Sequence, residues 1–343
     1  MGRNARASHG LLSSLLREVS RSFYLTLRVL PSRIRPQIGL AYLLARASDT
    51  IADTELVPLE ERMAALGKLR RCIAELKRGP LDLSSLSHHQ GSPAERVLIE
   101  RSEEALALLQ SMEIADQQRI QQVLATIISG QELDLQRFGG ADAGHITALQ
   151  TDTELDDYTY RVAGCVGEFW TQMCRAHLFP DIRLEDSVFL ANGVRFGKGL
   201  QLINILRDVA ADLRHGRCYL PAAKLKTCGL TPTELLQPEN ESRLRTGYDS
   251  YLRVAEGHLM AGWAYTHTVP RKFIRVRLAC AWPLLIGRET LFLLERGKVL
   301  DPNHRIKVNR SQVRRILWRS VVFYPWPNAW RRLFPTAPDV PRQ

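Results

Sequence analysis

The sequence predicts an all-α protein. Apolar residues recur at three- and four-residue spacing almost throughout, rather than in alternation. Leu, Ala, Arg, Glu and Gln dominate, and all are good helix formers. Pro and Gly fall between the periodic stretches, where they punctuate helices. With 343 residues, 45% hydrophobic and 24% charged, the chain can bury a substantial core and is not disordered.

The elements follow in order. Residues 11–29 read as an amphipathic helix ended by Pro31. A second helix runs from about Pro36 to Thr54, and a third over roughly 59–78, between Pro58 and Gly79-Pro80. The Pro, Ser, Gly and His content of 80–93 reads as a loop. Helical pattern resumes at 94–110 and 114–138 and is closed by Gly139-Gly140. Long helices are expected at 152–177, 185–214, 240–268 and 272–297, with a Pro- and Thr-containing connector after Pro221. A loop at 298–305 leads to the short basic helix RSQVRRILWRSV and a Pro-rich tail. No fixed repeat or low-complexity linker divides the chain. The expected organisation is one domain over residues 1–300 and a C-terminal segment over 301–343.

Composition narrows the classes of function. Six cysteines without a CxxC pair read as reduced, mostly buried thiols of a cytoplasmic protein. The basic N-terminus has too short an apolar run for a signal peptide, and no run of about 18 apolar residues predicts a membrane span. The net charge is +11, and from Arg271 onward there are 16 Lys or Arg against four acids, so the C-terminal surface is expected to meet something anionic. There Trp318, Phe323, Tyr324, Trp326, Trp330 and Phe334 alternate with Arg314, Arg315, Arg319, Arg331 and Arg332. This pattern has three readings: peripheral contact with the inner face of a membrane, a packed cap on the domain, or a nucleic-acid patch. No recognition motif supports the last, so no nucleic-acid partner is expected, and the chain is read as a monomer.

Two stretches carry chemistry. In QLINILRDVAADLRHGRCYLP, Asn204, Asp208 and Asp212 recur every four residues, and Gln201 joins the same helix face. Leu202, Ile203, Leu206 and Val209 leave that face for a core. Oxygen donors without His or Cys suit a hard cation such as Mg²⁺. In RASDTIADT, Asp49 and Asp53 share a face with Arg46. Such a pair is most often merely solvated, and it mildly destabilises a helix unless a cation lies between its members. Its weight comes from the second row. Two helices, each with Mg²⁺-type ligands and an arginine (Arg46, Arg207), would bridge the metal to substrate phosphates. Loss of a diphosphate beside an apolar cavity leaves a carbocation, so the walls must exclude water. VAGCVG at 162–167 fits either such a wall or tight helix packing, and Tyr158 lies four residues before it.

At this point the residues resemble the squalene/phytoene synthase family of head-to-head prenyl transferases. The resemblance rests on SRSFYLTLRVLP at 20–31, ARASDTIADT at 45–54, YTYRVAGCVGEFW at 158–170 and GLQLINILRDVAADLRHGRCYLP at 199–221. It implies an all-α isoprenoid-synthase fold around a central cavity. It also implies two-step chemistry, in which two prenyl diphosphates join to a cyclopropyl diphosphate that ionises again and rearranges. On this resemblance Asp49, Asp53, Asn204, Asp208 and Asp212 are the metal ligands. Ser20, Arg21, Ser22, Arg46, Arg207 and Arg217 hold diphosphate. Tyr158 assists proton or cation handling, and Phe23, Val162, Gly164 and Gln201 line the cavity. Ala52 and Thr54 stand where squalene synthases carry extra acids. The SRSF entry and Asp49-Thr50 look more like the squalene branch, which works on farnesyl diphosphate and reduces its intermediate with NADPH. RIKVNRSQV at 305–313 is similar to that branch's basic segment, so Lys307 and Arg310 are either NADPH-phosphate contacts or members of the general basic tail. GVRFGKG at 193–199 lies within a helix and is not a dinucleotide loop. A non-catalytic helical relative would lack ligands in at least one row, and both rows are present here.

Overall fold

The computed structural model describes residues 15, 16, 18, 19, 23–76, 81, 83–89 and 92–334, with the side chains of 23–25, 84 and 85 outside that description. It divides into two compact units. The first comprises residues 1–139 and 169–182, the second 140–168 and 183–343.

The first unit contains helices α1 (Phe23–Val29), α2 (Arg35–Asp53), α3 (Leu59–Glu75), α4 (Ser84–His88), α5 (Pro93–Glu100), α6 (Ser102–Gln110) and α7 (Ile114–Phe138). Helix α2 is its centre and packs on α3, α5, α6 and α7. Pro36 suits the first turn of α2, where no N–H is needed. Leu40, Leu43, Leu44, Ala47 and Ile51 are almost wholly buried, at the spacing one helix face requires. The carboxylate of buried Asp116 on α7 ties the unit together. It accepts from Gln37 Nε2 at 3.1 Å, Arg119 Nη1 at 2.9 Å and pairs with His177 Nε2 at 2.8 Å.

The second unit is built on α10 (Asp186–Arg214), preceded by α8 (Asp152–Thr159) and the start of α9 (Cys165–His177). It continues through α11 (Ala222–Thr227), α12 (Glu241–Thr268), α13 (Ile274–Arg296), α14 (Arg310–Val322) and α15 (Pro327–Arg331). Helix α10 packs along α12, and α12 on α13. Phe189 of α10 stacks on Tyr265 of α12 with centroids 4.3 Å apart. The Tyr248 hydroxyl donates to the Leu206 carbonyl at 2.8 Å.

The expected helices at 185–214, 240–268 and 272–297 stand within two residues of their predicted ends. Three expectations differ. The helix read over 94–110 breaks at Arg101, whose ψ of 14° ends α5 before α6 begins. The loop 80–93 contains the short helix α4. The helix read over 152–177 is interrupted by a π-helical turn at Tyr160–Gly164. Two short strands, β1 (Thr147–Ala148) and β2 (Arg217–Cys218), also pair in parallel. Gly216 makes that pairing possible. Its φ of +75° turns the chain out of α10, and a Cβ there would lie 2.3 Å from the Asp142 backbone nitrogen. All six cysteines are free.

Candidate active site

The acidic rows belong to different units and were built differently. In the first unit, Asp49 and Asp53 occupy the last two turns of α2. The Asp49 side chain is 47% exposed, and the protein packed around it still desolvates the carboxylate. Desolvation first, and then the Asp53 charge, pushes its carboxyl up to about 6. Two groups act in the opposite sense. Arg46 Nη1 lies 3.9 Å from Asp49 Oδ2, and Gln131 Nε2 donates to Asp49 Oδ1 at 2.5 Å. Arg46 is shared, because its other nitrogen pairs with Glu95. Gln131, on α7, was not singled out in the sequence. A glutamine within a helical pattern carries no signal until the fold brings it beside an acid.

The end of α2 is held from below. Buried Arg62 donates to the Ala52 carbonyl at 2.8 Å. Ala52 and Thr54 are 8% and 6% exposed, and the Thr54 hydroxyl donates to the Thr50 carbonyl at 2.6 Å. These two positions point into the packed side of the helix, away from the exposed side on which Asp53 lies.

In the second unit, Asn204 is exposed, and Gln201, Asp208 and Asp212 are half-buried along α10. Leu202, Ile203, Leu206 and Val209 are buried, as the periodicity required. Arg207 makes a two-point contact with the neighbouring Asp208, Nε to Oδ1 at 2.9 Å and Nη2 to Oδ2 at 2.5 Å. That contact, with Asp212 beyond it, raises the Arg207 pKa. Arg217 follows Gly216 on β2, two residues before Tyr219. The Tyr158 ring is 9% exposed and stacks on Tyr219, with centroids 4.7 Å apart.

The geometry of VAGCVG supports tight packing. A Cβ at Gly167 would lie 1.9 Å from the Gly193 carbonyl oxygen, and one at Gly197 would lie 2.0 Å from that of Ala163. A Cβ at Gly164 would crowd Tyr160, Lys198 and Val194 at 3.0–3.4 Å. Gly164 therefore serves the contact with α10, while Val162 is half-buried. Lys307 and Arg310 are exposed, Arg310 opening α14 behind a capping box of Asn309 and Gln312. GVRFGKG lies inside α10. Ser20, Arg21 and Ser22 lie outside the described residues, and Phe23 is described only as backbone of α1.

The donor chemistry fits a hard cation. The protein offers oxygen donors at i, i+4 steps, and at Asp49 desolvation and the Asp53 charge outweigh Arg46 in setting the carboxyl. Among the described residues, no group of three or more His, Cys, Asp or Glu side chains could hold a metal ion. A cation at either row would therefore take further oxygens from a ligand, as Mg²⁺ does with phosphates.

An all-α scaffold with two such aspartate rows, each beside an arginine, is the arrangement that the resemblance to isoprenoid synthases implies. Comparison with known proteins narrows this. The family model "Squalene/phytoene synthase" matches residues 16–312. The chain is 28% identical over 321 residues to a bifunctional lycopene cyclase/phytoene synthase of Gibberella fujikuroi, covering 91% of this chain and 52% of that protein. It is also 28% identical to a presqualene diphosphate synthase of Zymomonas mobilis, covering 87% of each. The chain spans about half the length of the bifunctional relatives it matches. The structure of TcSQS in complex with a ligand shares the fold, with a TM-score of 0.75, 21% identity, and 97% and 94% of the two chains covered. The squalene synthase HpnC from Alicyclobacillus acidocaldarius does so with a TM-score of 0.62, 19% identity, and 85% and 95% covered. The chain belongs to the squalene/phytoene synthase family, a family of prenyl transferases.

Proposed function

We propose that this chain joins two farnesyl diphosphates head to head, through presqualene diphosphate, to squalene, using Mg²⁺ and NADPH. The observation that carries the reading is the presence of both aspartate rows, each with its own arginine, in a chain of this family. Asp49, Asp53, Asn204, Asp208 and Asp212 would hold Mg²⁺. The bound metal would neutralise the charge gathering on the departing diphosphate. Arg46, Arg207 and Arg217 would donate to diphosphate oxygens, the two-point geometry of Arg207 suiting a phosphate as it suits the Asp208 carboxylate. Tyr158, largely buried and stacked, offers a π-face or a hydroxyl to a developing cation. The exposed charges of Lys307 and Arg310 would meet a phosphate of NADPH.

The curated relatives support a second reading, in which the reaction ends without NADPH, as a presqualene diphosphate or phytoene synthase. Incubation with farnesyl diphosphate and Mg²⁺, with and without NADPH, separates the two. Squalene formed only with NADPH upholds the first. Presqualene diphosphate or dehydrosqualene under both conditions selects the second, and a C40 product from geranylgeranyl diphosphate makes the chain a phytoene synthase.

We further propose peripheral membrane contact through α14. Trp318, Val321 and Trp326 are 64%, 49% and 59% exposed beside Arg314, Arg315 and Arg319. No helix among the described residues is long and apolar enough to cross a membrane. Two other tail aromatics are packed: Trp330 and Phe334 are 2% exposed and stack against Trp263. Replacing Trp318 and Trp326 with Ser should abolish co-sedimentation with acidic liposomes while the fold stays intact. Undiminished binding by that variant rejects the contact.

A further inference from the structure

We infer that Gln131 is a positioning residue that fixes one oxygen of Asp49 and leaves the other for a cation. The inference rests on the Mg²⁺–diphosphate reading of the first row. Its basis is the placement of Gln131 on α7, where it is 8% exposed and its amide nitrogen donates to Asp49 Oδ1 at 2.5 Å. The other end of the same amide, Oε1, is buried and has no hydrogen-bond partner among the described residues. A buried acceptor without a donor is destabilising, and an apolar side chain of the same shape, such as Met, would avoid that loss. The packing of α7 on α2 does not call for an amide at this place. The hydrogen bond to Asp49 does.

The geometry fixes what that bond achieves. Arg46 approaches Asp49 from the Oδ2 side at 3.9 Å and is shared with Glu95. Gln131 takes Oδ1. A donor on one carboxylate oxygen sets the plane of the group and leaves the second oxygen, on the Arg46 side, for an incoming charge. This is how an outer partner orients a metal-binding side chain. Gln37 is the internal comparison. It too donates to an aspartate, the buried Asp116, and its Oε1 is likewise buried without a partner among the described residues. Asp116, however, is also satisfied by Arg119 and His177, so nothing is left to be filled there.

The test compares Gln131→Met and Gln37→Met in the full chain. Calorimetry measures MgCl₂ binding in the presence of inorganic pyrophosphate, thermal melting measures stability, and turnover of farnesyl diphosphate is followed against Mg²⁺ concentration. Gln131→Met is expected to melt at or above the wild-type temperature, yet to bind Mg²⁺ about 10- to 100-fold more weakly. Its turnover should recover as Mg²⁺ is raised, the signature of a lost positioning contact. Gln37→Met should change melting alone. Normal Mg²⁺ binding by Gln131→Met beside a binding wild type overturns the inference and leaves the proposed function standing. A wild type that binds neither Mg²⁺ nor pyrophosphate overturns both.

Discussion

The two aspartate rows use the same spacing and solve the charge problem differently. Asp208 is held at two points by Arg207, the next residue in its own helix, so the row on α10 carries its counter-charge with it. Among the described residues Asp49 has a distant, shared Arg46 and the neutral Gln131, and its carboxyl is pushed up to about 6 by desolvation and Asp53. At Asp49 the counter-charge comes from another turn of the helix and is divided with Glu95. At Asp208 the counter-charge is adjacent and engages both carboxylate oxygens, so on the proposed function Arg207 would have to turn to a substrate before Asp208 took a metal. Identical spacing in a sequence thus says nothing about how ready a carboxylate is.

This contrast can be broken most severely at the acids. Asp208→Asn and Asp49→Asn should each reduce turnover by about 10²–10³-fold, the scale of losing one charge-stabilising group, with far-ultraviolet circular dichroism unchanged. Near-normal turnover in Asp208→Asn would remove α10 from the metal assignment. Next comes the packing beneath the second row. Gly197→Ala places a methyl against the Ala163 carbonyl and should cost about 1–3 kcal/mol in denaturant unfolding. The latch itself is tested by Arg207→Gln. Freed of its partner, Asp208 should bind Mg²⁺ several-fold tighter, by about 2- to 5-fold, while the KM for farnesyl diphosphate rises. Weaker Mg²⁺ binding together with the raised KM would show that Arg207 merely supports the helix.

The smallest effect lies outside both rows and bounds the pH at which they can be compared. Burial, and then Arg277 and Arg331, lower His267 from 6.5 to about 4. Between those values the unfolded chain holds a proton the folded chain lacks, so stability from this site is full above pH 6.5 and is lost as pH falls toward 4. Melting temperature should drop over that window in the wild type and less so in His267→Gln. An identical drop in both would assign the acid sensitivity to other groups, beginning with His258, which burial also lowers to about 4.

Much of the arrangement was legible in the chain. The ligand row on α10 was readable because helix periodicity alone puts Asn204, Asp208 and Asp212 on one side and Leu202, Leu206 and Val209 on the other. Arg46 and Arg207 were readable for the same reason. The π-turn at Tyr160–Gly164 was not, since a single five-residue turn is too short to write a period of its own into the sequence. VAGCVG admitted two meanings until Gly193 and Gly197 were found against Gly167 and Ala163. The tail likewise held one composition and two fates. Trp330 donates its ring N–H to the Ser320 carbonyl at 3.0 Å and is buried, whereas Trp318 stands in solvent.

By itself, the sequence determined the all-α architecture, the length of the principal helices, and which oxygens share a face, because these depend on contacts between residues three or four apart. Only the tertiary structure decided that Gln131 meets Asp49, that Arg62 caps the end of α2, and which tail aromatics are core. These partners lie from 10 to 82 residues apart along the chain, and no local period records them. The charge state of Asp49 belongs with them, since desolvation is set by everything packed around a side chain and by nothing in its immediate sequence.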